Sequence, residues 1–207
     1  MVDFQIIPER TALITIDFQN LFVEGHAISA PTGVDAMNRA NGLAATCRQN
    51  GVAVIHIAHQ LRPDHSNLGV LADVVPTVET KRLLTSGEAT ADLHAQLDIQ
   101  DSDWVISKPR LGAFTGSDLE LTLRARGIDT LIMAGIATGV CVDTTARQAA
   151  LLDFKVIMLS DGTATSDING CAAEDLQRMT LAVFDGNFGQ VASVAQMITK
   201  IEAAATL

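Results

Sequence analysis

The sequence has few basic residues and no long hydrophobic run. Its 207 residues include 14 lysines and arginines against 24 aspartates and glutamates, so the formal net charge is −10. A surface of this sign repels nucleic acid and anionic membranes, and we expect neither as a partner. No stretch approaches the ~18 consecutive apolar residues that a membrane-spanning helix needs. Nucleic-acid binding and membrane insertion are therefore not expected.

The three cysteines are too few and too widely spaced to form a disulfide framework. Cys47, Cys141 and Cys171 contain no C-x-x-C pair, which is the cysteine usage of a reducing compartment. The first residues also lack a basic region followed by an uninterrupted apolar stretch, so they predict no signal peptide. We expect a cytoplasmic protein.

The composition that remains is that of a globular chain. Hydrophobic residues make up 48% of the sequence and charged residues 18%, which is enough apolar volume for a well-filled core. The sequence shows no internal repeat, low-complexity tract or linker. We therefore expect a single domain covering residues 1–207.

Short apolar runs alternate with helical patterns along the chain. The runs are continuous rather than alternating, which is typical of strands buried on both faces of a parallel sheet. They predict five strands and a weaker sixth: Ala12–Ile16, Val52–Ala58, Trp104–Ser107, Thr130–Ala134, Val156–Leu159 and Gln190–Ala192. The order indicates a doubly wound α/β fold, with a mostly parallel six-stranded sheet and helices on both faces in a Rossmann-type three-layer arrangement.

Helical periodicity predicts five helices between the strands. Glycines at Gly51, Gly127 and Gly186 stand where C-terminal caps are expected. The helices are Val34–Gln49, Ser117–Arg126, Val142–Leu152, Cys171–Phe184 and Ser193–Ala205. The segment Gln60–Thr90 is too long for a simple connection, so it is interpreted as a lid or as a contact between subunits.

Ligands of such sheets bind beyond the carboxyl ends of the strands, so polar residues that follow strands carry the most information. Cys141 follows the fourth strand through a turn of small residues and stands at the head of a helix. The helix dipole and unpaired N–H groups favour thiolate there. We expect iodoacetamide to label Cys141 ahead of Cys47 and Cys171. The alternative is a buried structural cysteine.

Two further polar residues follow predicted strands. Asp17 ends the first strand, where a carboxylate is costly unless it is paired or used, and it is a candidate helix cap, metal ligand or general base. Lys108 ends the third strand, held extended by Pro109. Its alternative is an ordinary surface lysine. Together with Cys141 these groups could take up a thiol proton, hold an ionised pair and attack a carbonyl without any cofactor.

The chain resembles the isochorismatase-like cysteine hydrolase superfamily, which includes nicotinamidase, N-carbamoylsarcosine amidase and biuret hydrolase. The resemblance extends from Thr11 to about Ala192. It is carried by D-F-Q-N-x-F at Asp17–Phe22, by the Lys108 strand with Phe114, and by G-I-A-T-G-V-C-V-x-T-T-A-R at Gly135–Arg147.

The resemblance implies a fold, a catalytic set and a pocket. The catalytic residues would be Asp17, Lys108 and Cys141. A cis peptide bond at Ile136–Ala137 would let the N–H groups of Ala137 and Cys141 donate to an oxyanion. We expect substrate contacts from the five remaining candidates, although the two phenylalanines could equally be core residues: Phe22, His59, Phe114, Thr138 and Thr145.

Departures from the relatives narrow the expected chemistry. Nicotinamidases bind a metal through an Asp-x-His pair after the second strand, and His56–Asn67 contains no such pair. A site built from His59, Asp64 and His65 is a minor alternative, so we expect no metal and no other cofactor. Isochorismatases that cleave vinyl ethers often lack the cysteine.

The presence of Cys141 therefore favours a small amide, ureide or carbamoyl substrate, cleaved at a C–N bond through an acyl-thioester. Vinyl-ether hydrolysis and an inactive binding or scaffold relative are the alternatives. We expect a homo-oligomer, either a dimer or a tetramer.

Overall fold

Six parallel strands form the centre of the molecule. The computed structural model describes residues 2–205. The strands lie side by side in the order β3-β2-β1-β4-β5-β6. They are β1 (Thr11–Ile16), β2 (Ala53–His59), β3 (Trp104–Lys108), β4 (Thr130–Ile136), β5 (Lys155–Ala164) and β6 (Gln190–Ala192). The sheet is thus entirely parallel, and the predicted doubly wound α/β fold is confirmed.

Helices cover both faces of this sheet. The first face carries α2 and α8, and the second carries α5, α6 and part of α7. The helices are α1 (Asn20–Val23), α2 (Gly33–Gln49), α3 (Leu71–Val74), α4 (Pro76–Thr80), α5 (Leu119–Ala125), α6 (Asp143–Leu151), α7 (Ala173–Asn187) and α8 (Val194–Ala204). Within residues 2–205, none of the helices has the length and apolar character needed to cross a bilayer.

The central strands are uniformly apolar because both of their faces are covered. All six residues of β1 are buried. Successive side chains point to opposite faces, so Leu13 packs with the α2 and α8 layer while Ile14 packs with the α5 and α6 layer. One strand therefore contributes to two separate cores, which explains the continuous rather than alternating pattern.

The helix ends follow local sequence signals at most positions. Gly51 and Gly127 adopt φ of 77° and 68° directly after α2 and α5, as expected of C-terminal caps. Ser193 and Gln196 form a capping box that starts α8. The prediction for Gly186 was wrong, because α7 continues through it to Asn187. The helix also begins at Ala173 rather than Cys171, after an isolated Ile168–Cys171 bridge.

The predicted irregular segment Gln60–Thr90 has an internal organisation. It contains α3 and α4, and a parallel bridge joins Leu61 to Thr85. Its buried side chains form a small third core with Leu21 from α1. The segment therefore folds over the carboxyl edge of the sheet, where α1 also lies.

Candidate active site

The carboxyl ends of four neighbouring strands meet at one edge of the sheet. Ile16 pairs with Ile57 of β2 and with Gly135 of β4, and the chain changes its winding direction between β1 and β4. This reversal is the topological switch point at which ligands of doubly wound sheets bind. A side chain at Gly135 would overlap the Ile16 carbonyl oxygen, so glycine is required for the two strands to approach here.

Asp17 continues from β1 into the switch point in an unusual backbone conformation. Its φ is 56°, which a short polar residue tolerates better than a branched one. Its N–H donates to the Ile57 carbonyl at 2.9 Å, so the side chain is aimed from a fixed backbone. The carboxylate is fully buried. Asp17 is thus a buried group held in a strained conformation, as is common at functional sites.

Lys108 supplies the charge that balances this carboxylate. It ends β3, and its Nζ lies 2.9 Å from Asp17 Oδ2 with both side chains fully buried. Nζ also donates to the Arg110 carbonyl at 3.0 Å. Burial lowers the pKa of Lys108, but the nearby Asp17 and Cys141 outweigh this effect, so its pKa is raised and the ammonium stays charged. The surface-lysine interpretation does not apply.

Cys141 lies in a single turn of π-helix, Thr138–Val142, that precedes α6. Such turns are rare and are found most often at functional sites. The N–H groups of Val140 and Val142 both donate to the Ala137 carbonyl, at 3.0 and 3.2 Å. This turn brings the cysteine back over the sheet, and its ligand atom lies within 4.8 Å of those of Asp17 and His59.

The expected thiolate character of Cys141 is not supported. Burial raises the pKa of the thiol to about 12, although Lys108 acts in the opposite direction. The resting group is therefore a thiol that needs a base. The expected order of alkylation also changes, because Cys171 is exposed whereas Cys141 is 5% exposed. Iodoacetamide should reach Cys171 first.

The carboxylate of Asp17 is suited to be that base. Burial raises its pKa, and the ion pair with Lys108 opposes the rise. Although Lys108 Nζ is close, neither carboxylate oxygen accepts a well-aligned hydrogen bond from residues 2–205. Both a raised proton affinity and an unused lone pair favour acceptance of the Cys141 proton.

Two threonines predicted to contact substrate are engaged within the protein. The Thr145 hydroxyl donates to the Cys141 carbonyl at 2.7 Å and accepts the Ala113 N–H at 3.1 Å. The Thr138 hydroxyl donates to Gln177 Oε1. Both side chains are fully buried. The structure thus places them as supports of the π turn.

Of the predicted oxyanion donors, Cys141 lies in this turn and Ala137 lies directly before it. The peptide bond between Ile136 and Ala137 is cis, and Ala137 is the residue directly before the π turn that carries Cys141. Ala137 and Cys141 are therefore close in the fold as well as in sequence.

The two predicted pocket phenylalanines have different environments. Phe114 packs against Phe154, with 5.7 Å between ring centroids, and Phe154 precedes β5 at the opposite edge of the sheet. Phe114 is thus a partly buried side chain that packs against the second core, and its contact with substrate stays a prediction. Phe22 lies in α1, is partly buried, and contacts both the first core and the small core of Gln60–Thr90. It remains at the carboxyl edge, near the candidate site.

A metal would find three possible ligands here. Among the described residues, Asp17, His59 and Cys141 form the one group of three such side chains whose ligand atoms converge. The alternative site at His59, Asp64 and His65 is not assembled, because His65 instead contacts Thr85 and Asp64 caps Ser66. The Lys108 ammonium at Asp17 disfavours a cation at the converging group.

Gln19 belongs to the site but was not identified from the sequence. Its side-chain Oε1 accepts the His59 N–H at 2.8 Å, and its Nε2 donates to the carbonyls of His59 and Ala91 at 3.0 and 2.7 Å. The available signal was a polar residue just after a buried strand, the same signal that identified Asp17. Gln19 fixes the end of β2 against β1.

A separate cavity of about 370 Å³ opens at the other edge of the sheet. Its lining comes from segments that precede β2, β3 and β4, including Arg48, Val52, Asp103 and Ile128. It is therefore distant from the carboxyl ends of the strands, and none of the sequence-predicted site residues borders it.

Comparison with known proteins is consistent with this geometry. A family model described as the Isochorismatase domain matches residues 11–196. A ureidoacrylate amidohydrolase, RutB, of Pantoea ananatis is 31% identical over 206 residues, covering 91% of this chain and 80% of that protein. The match to the family model extends over all six strands.

Solved structures give the same result. A cysteine hydrolase from Pseudomonas syringae superposes with a TM-score of 0.94 at 33% identity, covering 98% of this chain and 97% of that one. An isochorismatase family protein from Burkholderia thailandensis has a TM-score of 0.82 at 31% identity, with coverages of 96% and 98%.

Proposed function

The chain belongs to the isochorismatase family of hydrolases, and we propose that it is a cysteine-dependent amidohydrolase with Asp17, Lys108 and Cys141 as its catalytic residues. Its substrate is a small amide, ureide or carbamoyl compound, cleaved at a C–N bond. The observation that supports this most directly is the convergence of a buried thiol, a carboxylate without aligned hydrogen bonds and a charged lysine at the switch point.

The first half-reaction forms a thioester. Asp17 accepts the Cys141 proton while Sγ attacks the carbonyl carbon, and Lys108 keeps the negative charge balanced. The tetrahedral oxyanion accepts hydrogen bonds from the N–H groups of Ala137 and Cys141. Asp17 then returns its proton to the leaving nitrogen, the C–N bond breaks, and an amine or ammonia departs.

The second half-reaction releases the acid. Asp17 takes a proton from water, the resulting hydroxide attacks the thioester carbon, and the C–S bond breaks. The proton returns to Sγ, so the enzyme ends in its starting state. A thiol whose pKa is about 12 needs a base in the first half-reaction and readily takes a proton back at the end of the second, and Asp17 serves both transfers.

The relatives support a C–N bond as the target. RutB of Pantoea ananatis carries the name ureidoacrylate amidohydrolase, at 31% identity to this chain. Vinyl-ether hydrolysis is the second candidate, suggested by the name of the family model. The complete set of Asp17, Lys108 and Cys141 argues against it and against a purely binding role.

A substrate screen tests the proposal. The purified protein would be offered amides, ureides, biuret, nicotinamide and isochorismate, with ammonia and product release followed and Cys141→Ala as the control. We expect turnover of at least one amide or ureide that the variant lacks. Turnover restricted to isochorismate would contradict the proposal.

We also propose that catalysis needs no metal or other cofactor. Lys108 already provides a positive charge 2.9 Å from Asp17 Oδ2, which is the position that a metal would need to share. Treatment with a chelator should leave turnover unchanged. Loss of activity that returns on adding Zn²⁺ would contradict this proposal.

The remaining proposals concern assembly and location. We propose a homo-oligomer, because α7 exposes Met179 and Val183 to 58% and 45% one helical turn apart. Light scattering should give the mass of a dimer or a tetramer. A cytoplasmic location is supported by three free cysteines, of which Cys171 is exposed. We expect a small molecule as the binding partner, and neither nucleic acid nor membrane.

A further inference from the structure

His59 is a buried polar group at the active site that the proposed mechanism does not use. It ends β2 and pairs in register with Lys108 of β3. Its side chain is 1% exposed, and Nε2 has no hydrogen-bond partner among residues 2–205. Nitrogen atoms left in this state destabilise a folded protein. A ring nitrogen of His59 lies within 4.8 Å of the ligand atoms of Asp17 and Cys141, so the unpaired polar group of this ring is a candidate for contact with a ligand.

The backbone of His59 is fixed by hydrogen bonds, so the position of its imidazole at the end of β2 is well defined. Gln19 accepts its N–H and donates to its carbonyl, at 2.8 and 3.0 Å. Gln19 is itself anchored to the Ala91 carbonyl at 2.7 Å. The imidazole therefore projects into the site from a rigid support.

The charge state of His59 decides what it can do. Burial, reinforced by the positive charges of Lys108 and Arg110, holds the pKa of the imidazole well below its usual value. A ring with so little proton affinity is neutral at neutral pH, and it competes poorly with Asp17 for the thiol proton. It is therefore suited to hydrogen bonding rather than to proton transfer.

The geometry of a carbonyl substrate leaves one place for this hydrogen bond. The carbonyl carbon has three substituents. In the mechanism above, the oxygen faces Ala137 and Cys141, and the leaving nitrogen faces Asp17. The third substituent then remains for the polar group of the site that has no other role, which is His59. In a simple amide this substituent is a carbon, whereas in a ureide or carbamoyl compound it is a second nitrogen.

On the basis of the proposed function, we propose that His59 Nε2 hydrogen-bonds the second nitrogen on the scissile carbonyl. The residue would thereby select ureides and carbamoyl compounds over simple amides. A site that places a buried polar group against a substrate discriminates strongly against analogues that leave this group unpaired. His59 is in this sense the specificity determinant of the pocket.

Matched substrate pairs test the inference, since they differ only in an NH group replaced by CH₂. We would use N-carbamoylglycine with succinamate, and propylurea with pentanamide. The wild-type protein should favour the urea member of a pair in kcat/KM. His59→Leu should reduce that preference by roughly 10- to 100-fold, the value of one buried hydrogen bond. His59→Gln, which keeps a polar head, should retain part of it.

A control separates recognition from an effect on the nucleophile. The rate at which iodoacetamide alkylates Cys141 would be followed by mass spectrometry of its peptide. We expect it to be the same in wild type and His59→Gln. A slower alkylation with an unchanged preference would assign His59 to the thiol and overturn the inference.

The remaining outcomes distinguish this inference from the proposed function. If the His59 variants lower kcat/KM equally for the urea and the amide of a pair, the proposed role of His59 is overturned and the amidohydrolase proposal stays intact. No turnover of any of the four compounds or of the wider screen by wild type would overturn both. Should His59→Leu fail to fold, as judged by circular dichroism, His59→Gln alone decides between these outcomes.

Discussion

Strand β2 carries two buried histidines whose surroundings differ in one respect. His56 contacts Thr15 Oγ1 at 2.7 Å through Nδ1 and Asp103 Oδ2 at 3.1 Å through Nε2. His59, three residues further along, has an Nε2 without a partner in residues 2–205. Both rings are buried, and burial is the leading cause of the lowered pKa of each. Only the first is satisfied by the protein itself.

Asp17 and Asp103, whose side chains are both buried, differ in the same way. Asp103 receives two hydrogen bonds from Arg48, at 3.0 and 2.7 Å, and a third from the Gln100 N–H at 2.9 Å. Asp17 has a close ammonium, but neither of its oxygens accepts an aligned hydrogen bond from the described residues 2–205. A saturated network stabilises the fold, whereas an unsaturated one keeps bonding capacity for a substrate or a proton. Variants in the two regions should therefore affect different quantities.

The largest expected effect is the loss of turnover in Cys141→Ala. Without Sγ no thioester forms, while removing one small buried side chain should leave the protein folded. The measurement is kcat on the best substrate from the screen, with thermal unfolding in parallel. Cys171→Ala is the matched control and should behave as wild type, because Cys171 is exposed. Unchanged turnover in Cys141→Ala would refute the nucleophile.

The next effect is expected from Asp17→Asn, which keeps the shape but removes the base. It should lower kcat by ~10²–10⁴. Lys108→Ala should slow turnover as well, and the double variant should be little worse than the poorer single one, since both act in one proton transfer. Losses in kcat/KM that simply multiply would show that the two residues act independently.

The acid limb of the pH profile sharpens this prediction. The proposed mechanism requires ionised Asp17, so activity should be lost as pH falls through the pKa of that carboxyl, which burial raises above its ordinary value. Lys108 opposes that rise. Its removal should therefore move the limb to higher pH. A limb that stays in place in Lys108→Ala would mean that another group controls it.

Asp103→Ala, in the hydrogen-bonded network of Asp103, Arg48 and His56, should lower stability and leave turnover unchanged. Removing this carboxylate leaves Arg48 and His56 without their shared partner. Arg48 keeps its contact with Asp98 at 2.7 Å, so the expected cost is that of the lost charged hydrogen bonds, about 1.5–3 kcal/mol of unfolding free energy. Urea denaturation would measure it, with exposed Asp101→Ala as the control. Turnover per folded molecule should be unchanged, and a fall in kcat would contradict the separation of the two regions.

The sequence predicts most of the fold and the three residues that meet at the candidate site, for identifiable physical reasons. Continuous apolar runs indicate strands buried on both faces, and Asp17, Lys108 and Cys141 directly follow such runs or the turn after one. Because parallel strands end at a common edge, these three residues were expected to meet.

Other features depend on contacts between distant segments. The protonation state of the Cys141 thiol is an example. Its pKa reflects burial within a π turn, and the sequence pattern indicates only the start of a helix there. The Gln19 clamp on His59 and the Arg48–Asp103 hydrogen bond join residues that are 40 and 55 positions apart. The direction of Phe114 toward Phe154 is likewise decided by packing.

The smallest expected effect belongs to Thr145→Val. Thr145 is part of the candidate active site, but its hydroxyl is fully hydrogen-bonded, as the side chain of Asp103 is. One of the bonds of this hydroxyl holds the carbonyl of Cys141 itself. Valine has nearly the same shape, so the change removes two hydrogen bonds and little volume. We expect a loss of about 1 kcal/mol in unfolding free energy. Turnover should also fall by a few fold, because a small displacement of Sγ reduces the rate of attack.

The separate effects of Thr145→Val on kcat and KM decide whether Thr145 supports the nucleophile or only the fold. A looser nucleophile lowers kcat and leaves KM almost unchanged, since the substrate contacts are not altered. Thr144→Val, at the partly exposed neighbouring position, controls for the loss of a hydroxyl from α6. An equal loss of stability with unchanged kcat would place Thr145 with the Asp103 network, as a residue that holds the fold and does not affect the chemistry.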